Sequence, residues 1–315
     1  MPGRGRAASA CAAVTAAVLA VAGGWLGAAT RQTPSFRAGI DIVSLAVTVT
    51  DASGRFVTDL VPGQFHVVED GAAQEVAYFN RTNMPIALAL LLDTSASMDE
   101  RMATAQNAAV GFVRRLQSRD QAELVAFDRD VRIAQGFTAD QAALERAIRS
   151  TTAAGSTSLY NAIYVSLREL RKNRVATERD VRRQAVVVVS DGEDTSSLVD
   201  FDEVLDLARR SETAIYAIGL RSKSDTRDKA FKEADHVLRQ LAQETGGRAF
   251  FPARVEDLAG VYSQIADELA SQYVLGYISK NSRRDGAWRR ITVQVDREGA
   301  TARTRTGYFG PSGTR

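Results

Sequence analysis

The chain has 315 residues, 45% of them hydrophobic and 25% charged, which is ordinary for a soluble globular protein and allows one or two domains. Its formal net charge is only +2, which excludes the strong basic excess typical of nucleic-acid-binding proteins. The two histidines, His66 and His236, lie far apart in sequence, so neither a histidine-based zinc site nor a Ser-His catalytic pair is indicated. We expect both histidines to be structural.

The N-terminal segment has the layout of a secretory signal. A basic start, "MPGRGR", precedes an uncharged stretch that runs to residue 30, and "GAAT" offers a cleavage site after Ala29. We therefore predict a signal peptide at 1–29, a tether at 30–39 and an extracytoplasmic location: secreted, periplasmic or cell-surface. The apolar run is long for a signal, so an uncleaved N-terminal membrane anchor is the alternative. Cys11 is the only cysteine, so the mature chain has no disulfide to form.

Residues 40–83 have the pattern of β-strands. "IVSLAVTVT" alternates apolar and smaller or polar residues, and "FHVVED" and "QEVAYF" flank an Asp-Gly turn. This segment is too short to build a two-layer core alone. Three more candidate strands, "YVLGYIS", "WRRITVQVD" and "ATARTRTGYF", lie in residues 272–310, before a tail at 311–315. We predict that the two flanks pack together as one small β-sandwich, with residues 84–271 inserted between them.

Residues 84–271 alternate between strand and helix patterns. "IALALLL" (86–92) and "AVVVVS" (185–190) are continuous apolar runs, typical of strands covered on both faces. Apolar residues at helical spacing lie between such strands, and Thr138 and Gln141 form a capping-box pattern before one helix. The alternation predicts an α/β domain with a mostly parallel sheet and helices on both faces.

Oxygen-bearing side chains follow the two most apolar strands. Asp93, Ser95 and Ser97 occupy alternate positions after one strand, Asp191 ends the other, and Thr157 lies in the loop before a helix. In an open sheet of order 3-2-1-4-5-6, the strands 86–92 and 185–190 flank the crevice where ligands bind. A helix cap is the simpler interpretation of the first three residues, but a cap needs only one of them. Several hard oxygen ligands together indicate a cation site.

Asp93-x-Ser95-x-Ser97, Thr157 and Asp191 closely resemble the metal-ion-dependent adhesion site of von Willebrand factor type A domains. The resemblance covers about residues 84–271 and implies a Rossmann-like, doubly wound sheet. Both flanks also look like those of bacterial proteins that carry such a domain between short β segments. The resemblance implies that the hydroxyls of Ser95, Ser97 and Thr157 bind the metal directly, while Asp93 and Asp191 hold metal-bound waters. Mg²⁺ suits this set of oxygens, with Mn²⁺ or Ca²⁺ as alternatives.

Other polar features have simpler interpretations. Ser156 stands where the family often has glycine, and we expect it to fit unless the backbone there is left-handed. The Arg-rich run 168–183 is typical of a solvated helix end, with a phosphate or acidic partner as the alternative. Asp128 and Asp130 are expected to be turn residues. Asp194 would either tune the site or simply be solvated.

The expected function is that of an exported, metal-dependent, adhesion-type protein-binding module. Neutral hydroxyl ligands leave the ion electron-poor, so an Asp or Glu carboxylate from a partner protein would complete its coordination. We expect no nucleic-acid partner, and contact with a membrane only through an uncleaved N-terminal segment.

Two other functions stay open. The chain could be a structural or assembly subunit of the cell envelope in which the metal only stabilises loops. A metal-assisted hydrolase is the third function considered. The sequence has no G-x-S-x-G, no H-E-x-x-H and no evident general base beside Ser95, although Asp191 could serve in principle, so we do not expect an enzyme.

Overall fold

The computed structural model describes residues 42–81, 84–176, 182–190, 194–220 and 229–313. The predicted signal peptide and tether, and also Asp191, lie outside these residues. Among the described helices, none is both long and apolar enough to cross a membrane.

Strands and helices follow one another in nearly the predicted order. Four strands come first: β1 (Ile42–Thr50), β2 (Phe65–Glu69), β3 (Ala72–Gln74) and β4 (Val76–Asn80). The middle of the chain contains β5 (Ile86–Asp93), α1 (Asp99–Val113), β6 (Gln121–Phe127), β7 (Val131–Thr138), α2 (Gln141–Arg149), α3 (Leu159–Ala176), β8 (Arg183–Ser190), α4 (Phe201–Ser211), β9 (Ala214–Gly219), α5 (Lys229–Thr245), β10 (Ala249–Phe250) and α6 (Leu258–Ser271). Four more strands follow: β11 (Tyr273–Ile278), β12 (Trp288–Val295), β13 (Thr301–Arg303) and β14 (Gly307–Phe309).

The central sheet has the order β10-β9-β8-β5-β6-β7. This is the predicted order 3-2-1-4-5-6, and all neighbouring pairs are parallel except β6 and β7. Alternate side chains of β5 enter two separate cores: Leu90 and Leu92 pack in the layer with α1 and α6, and Leu91 packs with α3 and α4. The predicted α/β fold with a doubly wound, mostly parallel sheet is therefore confirmed.

The two flanks form two four-stranded sheets within the described residues. Their strand orders are β13-β1-β11-β4 and β14-β12-β2-β3, so each sheet combines strands from both flanks. Side chains from both flanks share one apolar core, with Leu45 and Phe65 packed alongside Tyr273 and Val293. As predicted, neither flank supplies this core alone. The domain boundaries stay a prediction.

Two segments that the sequence pattern predicts as single strands are divided between the sheets. "QEVAYF" contains the end of β3 and most of β4, and "ATARTRTGYF" contains β13 and β14. The sequence pattern does not reveal where the chain changes sheets. In the second case the break lies where Arg305 donates to the carbonyl of Ser44 and Thr306 donates to Glu244 of α5.

A buried polar network joins the last helix of the α/β layer to the small sheets. Glu268 of α6 is only 2% exposed and accepts hydrogen bonds from Tyr216 (2.7 Å), Thr48 (3.3 Å) and Arg303. Tyr216 belongs to the central sheet, whereas Thr48 and Arg303 belong to β1 and β13. One carboxylate thus connects three layers of the molecule.

Candidate metal-binding site

The candidate site lies at the carboxyl ends of β5 and β8, which are neighbours at the centre of the sheet. Asp93 is the last residue of β5 and is fully buried. Its Oδ1 accepts a hydrogen bond from the backbone N–H of Ser95 (2.8 Å), and its Oδ2 accepts one from the hydroxyl of Ser190 at the end of β8 (2.5 Å). Asp93 therefore links the first turn of its own loop to the neighbouring strand.

Ser95 directly precedes a short 3-10 turn (Ala96–Met98) between β5 and α1, and Ser97 lies within that turn. Their Oγ atoms are 3.0 Å apart; Ser95 is buried and Ser97 is exposed. Neither the 3-10 turn nor α1 has a side-chain hydrogen bond at its N-cap position. The interpretation of this segment as a helix cap is therefore wrong.

Thr94, between Asp93 and Ser95, is bonded to the neighbouring strand β6. Both its backbone N–H (2.7 Å) and its hydroxyl (3.0 Å) donate to the carbonyl of Phe127 at the end of β6. The carboxyl ends of β5 and β6 are thereby joined. Thr94 thus holds the loop to the sheet between the predicted site residues Asp93 and Ser95.

The loop with Thr157 lies against the loop with Ser95. Ala96 N–H donates to the carbonyl of Gly155 (3.0 Å), and Ala154 N–H donates to the carbonyl of Thr94 (2.7 Å). Thr157 is 5% exposed. The structure thus brings the Thr157 segment to the Ser95–Ser97 turn, as the sequence predicts.

Thr157 itself is fixed by the segment that follows β8. Its N–H donates to the hydroxyl of Thr195 (3.0 Å), and its carbonyl accepts from the N–H groups of Thr195 (2.9 Å) and Ser196 (3.1 Å). These bonds use only the backbone of Thr157.

Gly155, not Ser156, has the left-handed backbone in this loop, with φ of +76°. Glycine adopts this conformation without the steric cost that a Cβ brings. Ser156 has no positive φ, and its hydroxyl donates to Ser196 (3.1 Å). The departure from the family pattern at Ser156 is accommodated as expected.

The neighbouring aspartates support the loops. The carboxylate of Asp128 accepts from the N–H of Asp130 (2.9 Å) and from Arg132 (2.7 Å), which is the turn role predicted for it. The carboxylate of Asp194 accepts from the N–H of Tyr160 in the first turn of α3 (3.2 Å) and from the hydroxyl of Ser197 (2.5 Å). Asp194 therefore orders the N-terminus of a helix beside the crevice.

The oxygen atoms of the described site residues are suitable ligands for a small divalent cation. Mg²⁺ binds oxygens at roughly 2.0–2.1 Å in an octahedron, so two neighbouring ligands are roughly 2.8–3.0 Å apart. The hydroxyls of Ser95 and Ser97 are hydrogen-bonded at 3.0 Å, and this separation is also compatible with one such edge. The described residues hold no cluster of three or more His, Cys, Asp or Glu side chains that would bind a metal. The candidate site is instead rich in hydroxyls.

Four of the five predicted site residues are thus described, and Asp191 lies outside the described residues. Ser190 was missed by the sequence analysis, although it holds the Asp93 carboxylate. The sequence could have indicated it, because Ser190 ends a run of four valines and a buried hydroxyl at a strand end needs a hydrogen-bond partner.

Residues 87–264 match the sequence model of the von Willebrand factor type A domain, which is more than half of the chain. The chain therefore belongs to this family. It is also 29% identical over 113 residues to the uncharacterized protein sll0103 of Synechocystis sp. (strain PCC 6803), and the match covers 35% of this chain and 26% of that protein. The chain thus spans about a quarter of the length of this relative.

A solved structure shares the fold, and a second one is similar to part of the chain. A von Willebrand factor type A protein from Catenulispora acidiphila has a TM-score of 0.51 at 13% identity, covering 88% of this chain and 76% of that one. The von Willebrand factor domain of the type V pili tip protein Mfa5 from Porphyromonas gingivalis has a TM-score of 0.46 at 16% identity, covering 59% and 95%.

Proposed function

We propose that this chain is an exported protein-binding module whose affinity depends on a divalent cation, Mg²⁺ or else Mn²⁺ or Ca²⁺. Ser95, Ser97 and Thr157 would bind the ion directly, and Asp93 and Asp191 would act through bound water. The bound cation supplies an electrophilic position for a carboxylate. The observation that carries the proposal is the pair of hydroxyls of Ser95 and Ser97, which are hydrogen-bonded to each other at 3.0 Å directly after β5 and which no helix cap uses.

A partner protein with an exposed Asp or Glu would complete the coordination. Type A domains commonly mediate protein–protein interactions, and this chain belongs to that family. The crevice opens beside Ser97, which is exposed, while Asp93 is fully buried behind it. This gradient of exposure supports a ligand that arrives from solvent and meets the ion on the Ser97 side.

The hydrogen bonds between the loops favour binding over a purely structural role for the metal. Thr94 bonds Phe127 and Ala154, and Ala96 bonds Gly155, in each case through protein groups alone. A cation is therefore not needed to hold these loops together. In the alternative, a structural or assembly subunit, chelation would lower the melting temperature without affecting partner capture.

The test compares partner capture with and without the metal. Intact protein and an Asp93→Ala variant are incubated with extracellular and cell-envelope extract in Mg²⁺ or in chelator, and proteins recovered only by intact protein in Mg²⁺ are identified.

Calorimetry with Mg²⁺ then compares Ser95→Ala and Thr157→Ala with Ser196→Ala, a neighbouring serine outside the predicted ligand set. We expect the first two to weaken Mg²⁺ binding and the third to leave it nearly unchanged. Equal affinity in all three variants would contradict the metal assignment.

A further inference from the structure

An open cleft lies on the outer face of the sheet β14-β12-β2-β3. Its volume is about 460 Å³, which is within the range of roughly 300–1,000 Å³ typical of small-molecule sites. The cleft is lined by three residues of β12 and by the end of β2 with the turn that follows it: Trp288, Arg290 and Thr292, and Val68, Asp70 and Gly71. None of the described candidate metal ligands lines it.

The three residues of β12 point to the same side of the sheet, because successive side chains of a strand alternate between its faces. Ile291 and Val293 are buried in the core of the sandwich, whereas Arg290 and Thr292 are exposed. Since each strand residue advances the chain by roughly 3.3 Å, the row from Trp288 to Thr292 is about 13 Å long. The cleft therefore presents an extended row of side chains to the solvent.

Trp288, at one end of this row, is fixed by its neighbours. Phe309 of β14 packs edge-on against the indole, with the ring centroids 5.0 Å apart, and Arg209 of α4 lies over the indole at 5.2 Å. Arg209 is itself paired with Glu244 (3.3 Å), so it adds little net charge to the cleft. The indole N–H has no hydrogen-bond partner among the residues that the structure describes. A rigid aromatic surface with an available donor is thus in place before a ligand binds.

Asp70 and Arg290 contact each other through the backbone and not through an ion pair. Oδ1 of Asp70 accepts from the backbone N–H of Arg290 (2.8 Å), and the N–H of Asp70 donates to the carbonyl of Arg290 (3.0 Å). Within the described part of the chain, Oδ2 of Asp70, the guanidinium of Arg290 and the hydroxyl of Thr292 have no hydrogen-bond partner. The described lining of the cleft thus has one charge of each sign and is formally neutral.

We propose that this cleft binds a neutral saccharide. A formally neutral lining favours neither an anion nor a cation. Sugar hydroxyls both donate and accept hydrogen bonds, so they suit a site that offers a carboxylate oxygen, a guanidinium and an indole N–H side by side. The C–H groups of a sugar ring would pack against the indole of Trp288 and against Val68.

The length of the row suits an oligosaccharide of roughly two or three rings. The cleft shares no described residue with the proposed metal site, so the saccharide would bind independently of the metal and of a metal-dependent partner.

The test uses the fluorescence of Trp288. The chain has two tryptophans, Trp25 and Trp288, so a Trp25→Phe variant of the full chain reports on the cleft alone. This parent protein is applied, in chelator, to an array of immobilised neutral and acidic glycans built from glucose, mannose, galactose and N-acetylglucosamine. Each glycan that binds is then titrated in soluble form while tryptophan emission is recorded. At least one neutral glycan should bind and change the emission of Trp288.

Four variants in this parent protein locate the site, and all four positions are exposed, so the fold should be kept. Arg290→Gln and Asp70→Asn should each weaken glycan binding about 10-fold, because each removes a charged hydrogen-bonding group. Thr292→Val should weaken it about 3-fold, because it removes a neutral one. Gln294→Ala is the matched control: Gln294 lies on the same face of β12 but does not line the cleft, so affinity should be unchanged.

Three results would overturn the proposal. The first is an array on which no neutral glycan binds, including one on which only acidic glycans bind. The second is a neutral glycan that binds without changing the emission of Trp288. The third is equal affinity in the control and in the three variants of the cleft.

Discussion

Glu123 offers a direct test of how burial controls stability in this protein. It lies in the middle of β6, is 1% exposed, and its Oε1 has no hydrogen-bond partner among the described residues. Burial raises the pKa of Glu123 to about 8; the nearby Glu169 adds to this effect and Lys172 opposes it. The side chain is therefore mostly protonated in the native state at neutral pH.

The sign of the pH effect follows from this shift. An unfolded chain has the ordinary glutamate pKa of 4.5, so the folded state binds the extra proton between pH 4.5 and about 8. The contribution of this proton to the free energy of unfolding is fully present below pH 4.5, and it is lost as pH rises through about 8. At 1.36 kcal/mol per pKa unit, the loss is roughly 3 kcal/mol at pH 7 and roughly 5 kcal/mol above pH 9.

The perturbation is Glu123→Gln, which removes the ionisation and keeps the shape. Urea unfolding at pH 5 to 9, in chelator and at constant ionic strength, should show a steep loss of unfolding free energy for intact protein and a much flatter profile for the variant. The variant should be the more stable of the two at pH 9. Glu169→Gln is the second variant: removing its charge lowers the pKa of Glu123 and should reduce the loss. Parallel pH profiles for intact protein and Glu123→Gln would refute the reasoning.

Three further predictions concern export and the sandwich. Mature protein from the native host should begin near Thr30 and lie outside the cytoplasm; N-terminal sequencing that finds Met1 on cytoplasmic protein contradicts this. Deleting residues 273–309 should expose the core strands of residues 42–80, and amide exchange there should lose its protection, unless the two flanks fold independently. Glu69→Ala should destabilise the protein by about 3–5 kcal/mol in urea, because it leaves the buried Arg289 without its 3.6 Å ion pair; a loss below 1 kcal/mol counts against that role.

The central sheet and the positions of Asp93, Ser95 and Ser97 could be predicted from the sequence because the patterns that indicate them are local. A continuous apolar run such as residues 86–92 is stable only where both faces are covered, so it predicts a central strand without reference to the rest of the chain. Polar residues directly after such a strand must lie at the carboxyl edge of a parallel sheet. Asp93, Ser95 and Ser97 are therefore placed by sequence and elementary geometry, and the strand order brings Thr157 to them.

The helix ends show where local signals become ambiguous. The predicted capping box places Thr138 at the start of α2, but the N-cap is Asp140, whose carboxylate accepts from the N–H groups of Ala142 and Ala143. Thr138 instead accepts from the N–H of Asp140 (3.0 Å). Both residues can accept such bonds, and the choice depends on where β7 ends.

Only the tertiary structure decides contacts between segments that are distant in the chain. The sequence predicts that the flanks join, but the change of sheet between β13 and β14 depends on Thr306 meeting Glu244 of α5, 62 residues away. Arg305, next to it, donates to the carbonyl of Ser44, which is 261 residues away. Ser190 and Glu123 are ordinary polar residues in sequence, and they acquire their roles only when packing removes water from around them. Alternation and apolar runs report how much of a side chain is buried, whereas the partner of a buried polar group is set by the whole fold.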